Sequence, residues 1–198
     1  MLQQFDERNR DLIVNVDGTL VHRDEAGVSS FDPVVQGGDA VWEGLRPYDG
    51  RIFKLAEHLA RLRSSARALA VADILPDEEI IEEVRRTLTA NRMRDGMHIP
   101  LTLTRGAKFT GGMDPRLNQS RATLIVLAEH KAPVYDRVGP AAWPRVRCAA
   151  LGRTRWIRES TTRNLLQSIL AKIEANAAAA ADARRRRSAM AQWGNWRA

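Results

Sequence analysis

Short apolar runs broken by Asp-Gly pairs open the chain. Leu12-Ile13-Val14-Asn15-Val16, then Asp17-Gly18, then Thr19-Leu20-Val21 predict a β-hairpin closed by a two-residue turn. A second hairpin is predicted from Val41–Arg46 and Arg51–Phe53, joined through Tyr48-Asp49-Gly50. Between the two, Ser29-Ser30-Phe31-Asp32-Pro33 and Gly37-Gly38-Asp39 read as turns.

The period then changes from two to that of a helix. Leu55, Leu59, Leu62, Ala66 and Leu69 form one apolar stripe. A second helix is predicted from Pro76-Asp77, with Asp77 as its cap and Glu78 and Glu79 in the first turn, where negative charge suits the helix dipole. Its apolar face is Ile80, Ile81, Val84 and Leu88, and Glu82 to Arg86 has the spacing of an ion pair. Asp95-Gly96 turns the chain into Ile99–Leu103, and Thr123–Leu127 reads as a strongly apolar strand. Hairpins outnumber parallel crossovers, so the fold class is α+β, with a first domain over residues 1–133.

Beyond residue 134 the pattern weakens. Residues 136–163 carry neither period. Order returns at Asn164–Asn176, where Leu165, Leu166, Ile169, Leu170 and Ile173 mark a helix that Ala177–Ala181 could extend on propensity. Residues 134–198 are therefore read as a linker and part of a second domain.

Charge sharpens this picture. The net charge is +7, yet residues 136–163 alone carry seven arginines against Asp136 and Glu159, and residues 177–198 five against Asp182. The rest of the chain is slightly acidic, so the basicity is confined to two segments. The run Arg184–Arg187 with Trp193 and Trp196 reads as a solvated tail rather than a nucleic-acid platform. The lone Cys148 excludes a disulfide framework and a multi-cysteine zinc site. No run approaches the roughly 18 apolar residues of a membrane helix, and the opening residues lack a secretory pattern, so a cytoplasmic protein is expected.

Several separated motifs then point one way. These are Arg23-Asp24-Glu25-Ala26, Gly37-Gly38-Asp39-Ala40-Val41-Trp42-Glu43-Gly44-Leu45-Arg46, Glu57-His58-Leu59-Ala60-Arg61-Leu62 with Ser65-Ala66, Thr102-Leu103-Thr104-Arg105-Gly106, and Leu170–Asn176. Together, in this order, they resemble the class IV pyridoxal-phosphate enzymes, a family of branched-chain and D-amino-acid aminotransferases and aminodeoxychorismate lyase. The resemblance implies a two-domain fold that binds pyridoxal 5′-phosphate between the domains, and commonly a homodimer. It places the phosphate-binding arginine at Arg61, whose guanidinium fork suits phosphate oxygens. By the helical period Arg61 lies about 100° from the stripe centre, at the flank of the buried face. The resemblance also places Trp42, Gly44 and Arg46 on the strand of the substrate pocket. On pattern alone, Trp42 reads as core, Gly44 as a bulge and Arg46 as a strand-edge charge, and His58 reads as a structural histidine.

The chain departs from the family where the chemistry is most demanding. The family's lysine, which holds the cofactor and shuttles the proton, falls at position 161, and Thr161 stands there. A threonine hydroxyl is not a base near neutral pH. The lysines are Lys54, Lys108, Lys131 and Lys172, and Lys172 matches a non-catalytic position of the motif. Pro100 stands where branched-chain members place an arginine, and a proline also removes a donor from a strand ladder. Apart from Pro100, the departures coincide with the arginine-rich segments. We read those segments as out of frame, and the chain as a truncated relative. The expected function is transfer of an amino group between a branched-chain type amino acid and a 2-oxo acid, impaired in this chain. A non-catalytic interaction protein and a lyase-like enzyme are the alternatives.

Overall fold

The computed structural model describes residues 4–132 together with Ile169 and Ile173. The chain divides into two compact units, one of Met1–Asp136 with Thr154–Asn164 and the other of Arg137–Arg153 with Leu165–Ala198. Ile169 and Ile173 belong to the second; both are helical and exposed, in line with the helix expected there.

The first unit is built on an antiparallel sheet. The opening hairpin forms as expected from β1 (Ile13–Val16) and β2 (Thr19–His22), in the register Val14 to Val21. Its turn residues Asp17 and Gly18 take φ of 52° and 87°, the left-handed pair a two-residue hairpin turn requires. The segment read as turns contains α1 (Pro33–Gly37). Asp32 caps it by accepting from the Val34 amide, Pro33 supplies the fixed φ of the first turn, and Gly38 closes it in the left-handed region.

The second predicted hairpin is corrected. The strand β3 (Ala40–Leu45) does not pair with the residues just after Tyr48-Asp49-Gly50. That turn instead closes a small separate ribbon of β4 (Pro47–Tyr48) and β5 (Arg51–Ile52). The partner of β3 is β6 (Met97–Thr104), with Trp42 opposite Thr102 and Gly44 opposite Pro100. The pairing is continuous from Ala40 to Leu45, so Gly44 is not a bulge. Strand β6 runs on through Pro100, whose carbonyl accepts from the Leu127 amide. With β7 (Leu124–Val126) the order is β2-β1-β7-β6-β3, and β8 (Glu129–His130) pairs with the start of β6.

Two helices cover one face. Helix α2 (Leu55–Ala68) packs on β3, and α3 (Asp77–Ala90) packs on β1 and β7. Alternation along the strands sends Val41, Leu45, Met97, Ile99, Leu101 and Leu103 to the helix side, where they meet Leu59, Leu62, Ala66, Ile80 and Val84 in one core. Asp77 does not cap α3; it sits inside the helix and its carboxylate takes Arg63 Nε at 2.5 Å. Arg86 pairs with Glu83, one residue closer than Glu82, while Glu82 takes Arg85. Glu83 also accepts from the buried Asn15, so the nearer carboxylate ties the helix to β1.

Candidate functional site

Alternation on β3 and β6 fixes what each face of the sheet offers. Side chains of Val41, Glu43 and Leu45 point to the helices, so Trp42, Gly44 and Arg46 share the other face. The register sets Thr102 and Pro100 beside them, and Ile125 of β7 beside Thr102. Here an open hollow of about 330 Å³ is lined by Val34, Gly38, Pro100, Thr102, Ile125 and Leu127. Its floor is sheet and its rim is α1. Trp42 and Gly44 are therefore cross-strand neighbours of residues that line the hollow.

Gly44 sits in close approach to two side chains. A β-carbon there would lie 3.0 Å from His98 Nε2 and 3.4 Å from Trp42 Cζ3. His98 in turn stands near three charges: Glu129, whose Oε1 is 3.7 Å from Nδ1, and Lys131 and Arg46. Burial pushes the His98 imidazole below its ordinary value, Lys131 adds to the shift, and Glu129 partly opposes it. Arg46 donates from Nη1 to the Lys131 carbonyl at 2.9 Å, tying the end of β3 to the chain after β8. This end of the face thus carries two cations, one carboxylate and a histidine held toward its neutral form.

Arg61 is not on that face. Its fork closes on Glu43, with Nε donating to Oε1 at 2.7 Å and Nη2 to Oε2 at 2.5 Å. His58 Nδ1 lies 2.7 Å from the same Oε2. Glu43 is fully buried, whereas the Arg61 side chain is 55% exposed. The hydrogen bond to Glu43 raises the Arg61 pKa above the ordinary guanidinium value. The phosphate end of pyridoxal phosphate fits this donor set: of five guanidinium N–H groups two are spent on Glu43 and a third faces His58 Nδ1 at 3.4 Å, which leaves the Nη1 pair on an exposed, permanently charged fork. Covalent attachment at position 161 does not fit, because threonine has no amine.

Two other motif residues prove to be structural. Arg105 is buried with all three guanidinium nitrogens engaged: Nε and Nη2 donate to Asp39 at 2.6 and 3.0 Å, and Nη1 and Nη2 to the carbonyls of Ala70 and Leu69 just after α2. Thr104 donates to the buried Asp32 and accepts from the Gly106 amide. Glu43 and His98 have roles that the sequence reading did not assign. For Glu43 a signal existed, since a carboxylate alternating with Val41 and Leu45 on a buried strand face must have a partner. Among the described residues no group of three or more His, Cys, Asp or Glu side chains could hold a metal ion, and no helix is long and apolar enough to cross a membrane. Thr161, Lys172, Cys148, the segments 136–163 and 177–198, and the Arg184–Arg187 run lie outside the described residues.

Comparison with known proteins gives one answer. The model of the family described as amino-transferase class IV matches residues 40–183, a span that includes 136–163. The branched-chain-amino-acid aminotransferase-like protein 1 of Arabidopsis thaliana is 49% identical over 175 residues, covering 88% of this chain and 32% of that protein. The branched-chain aminotransferase of the archaeon Thermoproteus uzoniensis, solved with norvaline, superposes with a TM-score of 0.63 at 24% identity, covering 84% of this chain and 57% of its own. A second branched-chain amino acid aminotransferase, solved with pyridoxamine 5′-phosphate, gives a TM-score of 0.63 at 24% identity, over 85% of this chain and 56% of its own. The chain thus spans about a third of the plant relative and little more than half of the two solved chains. With the fold shared and most of its length matched, the chain belongs to the class IV aminotransferase family.

Proposed function

We propose that this chain carries the phosphate-gripping and substrate-facing parts of a branched-chain type aminotransferase site, built for pyridoxal 5′-phosphate, an amino acid and a 2-oxo acid. When bound, the cofactor supplies an electron sink for amino-group transfer. Arg61 is the residue that holds its phosphate, and the half-exposed fork fixed by Glu43 is the observation that carries the reading. Trp42 and Gly44 shape the substrate wall beside the hollow, and Arg46 sets positive charge at its end, a suitable neighbour for a carboxylate. The plant relative supports the branched-chain assignment over the D-amino-acid and lyase alternatives.

Turnover is the part this chain lacks. Thr161 can neither hold the cofactor covalently nor move the proton from the reacting carbon near neutral pH. Reversible binding of pyridoxal phosphate without amino transfer is therefore expected. Equilibrium titration of the purified chain with the cofactor tests the first half of this reading, and absence of binding at millimolar cofactor contradicts it.

A further inference from the structure

We propose that Glu43 is a positioning residue, which holds the Arg61 guanidinium in one plane so that its remaining donors meet a phosphomonoester. The proposal rests on the reading of Arg61 given above and adds the residue that makes it work.

A carboxylate at zero exposure is costly unless it is paired and hydrogen-bonded. Strand alternation puts Glu43 among Val41 and Leu45 on the helix-facing side, where hydrophobic side chains are the rule. Its partners both come from α2, His58 and Arg61, three residues apart and hence on one side of that helix. Oε1 and Oε2 together engage the Nε and Nη2 edge of the guanidinium, and a two-point grip fixes the plane as well as the position.

Here the carboxylate is buried and the arginine is 55% exposed, so the fixed element is inside and the guided element faces outward. Among the described residues nothing hydrogen-bonds to Arg61 Nη1. An arginine on a helix surface otherwise loses rotamer freedom, an entropic cost, when a ligand orders it. Glu43 meets that cost before the ligand arrives, which is the general route by which preorganisation raises affinity.

The test compares pyridoxal 5′-phosphate with pyridoxal by equilibrium titration of the full chain, in wild type, Glu43→Gln and Arg61→Lys, with each fold checked by circular dichroism. Wild type is expected to prefer the phosphorylated form, and Glu43→Gln to lose about tenfold of that preference, the worth of one charge-assisted hydrogen bond, with pyridoxal binding unchanged. Arg61→Lys, which keeps the charge and loses the fork, is expected to fall similarly. A Glu43→Gln protein with undiminished preference overturns the positioning role and leaves the reading of Arg61 standing. A wild type with no preference overturns both. If Glu43→Gln does not fold, NMR of the wild-type arginine Nε–H groups decides. A slowly exchanging Arg61 Nε–H, in a side chain whose resonances shift on adding inorganic phosphate, supports the proposal, and a rapidly exchanging one overturns it.

Discussion

Gly44 lies close under His98: a β-carbon at 44 would stand 3.0 Å from His98 Nε2, so the imidazole would have to give way to a methyl group. Trp42 closes the other side at 3.4 Å. Gly44→Ala is therefore expected to displace the imidazole or the indole and to cost about 1–3 kcal/mol, the usual range for overpacking. Chemical denaturation checks the stability, and an unchanged midpoint would show that His98 moves freely.

Gly106 is more tightly held. Its φ is +92°, and a β-carbon there would sit 2.2 Å from the Arg121 carbonyl oxygen. The obstacle is backbone, which cannot rotate away as a side chain can. Gly106→Ala should cost more than about 3 kcal/mol, among the large effects of single substitutions, and should deplete soluble protein on expression. A soluble variant of near wild-type stability would contradict the close approach.

These two glycines show where local reading of the chain succeeds and where it stops. The β1–β2 hairpin was legible because Asp17-Gly18 states its own turn, and α2 and α3 because their apolar stripes recur over many residues. The pairing of β3 with β6 was not, since the nearest turn signal, Tyr48-Asp49-Gly50, competes for β3 and closes a ribbon of its own. Asp32-Pro33 reads equally as a turn and as a helix start, and only the capping bond to Val34 decides for α1. The residue types of the candidate site were visible through their motifs. The separation of Arg61 from the Trp42 face was not, because it depends on which way each strand side chain points.

Arg61 guards a buried charge. Removing it in Arg61→Ala leaves Glu43 with His58 alone, and the loss expected is about 2 kcal/mol, below the range for a fully buried pair because Arg61 is half exposed. Adding Glu43→Leu in the same chain should recover part of that loss, since it removes the unpaired charge and fills the site with apolar volume. A double variant less stable than Arg61→Ala contradicts this view of the pair.

Acid should destabilise the first unit before its carboxylates protonate. The imidazoles of His98 and His130 are both pushed below the ordinary 6.5, in each case chiefly by burial. The unfolded chain thus binds protons more readily than the folded one as pH falls below about 6.5, so stability is present above that pH and is lost below it. His98→Gln with His130→Gln should flatten the slope of melting temperature between pH 7 and pH 5. An unchanged slope would assign the effect to other groups.

The coding sequence offers an independent check on Thr161. If the arginine-rich segments 136–163 and 177–198 are out of frame, another frame through the first should carry a lysine codon at position 161. Resequencing that finds no such frame makes Thr161 the genuine residue.

In our reading this chain retains the phosphate grip and the substrate face while lacking the group that turns the reaction over. The decisive assay is glutamate formation from L-leucine and 2-oxoglutarate by the purified full chain at saturating pyridoxal phosphate. The expected result is a rate no greater than that of the free cofactor. Amino transfer that rises in proportion to protein, and is lost in Arg61→Ala, would contradict that reading.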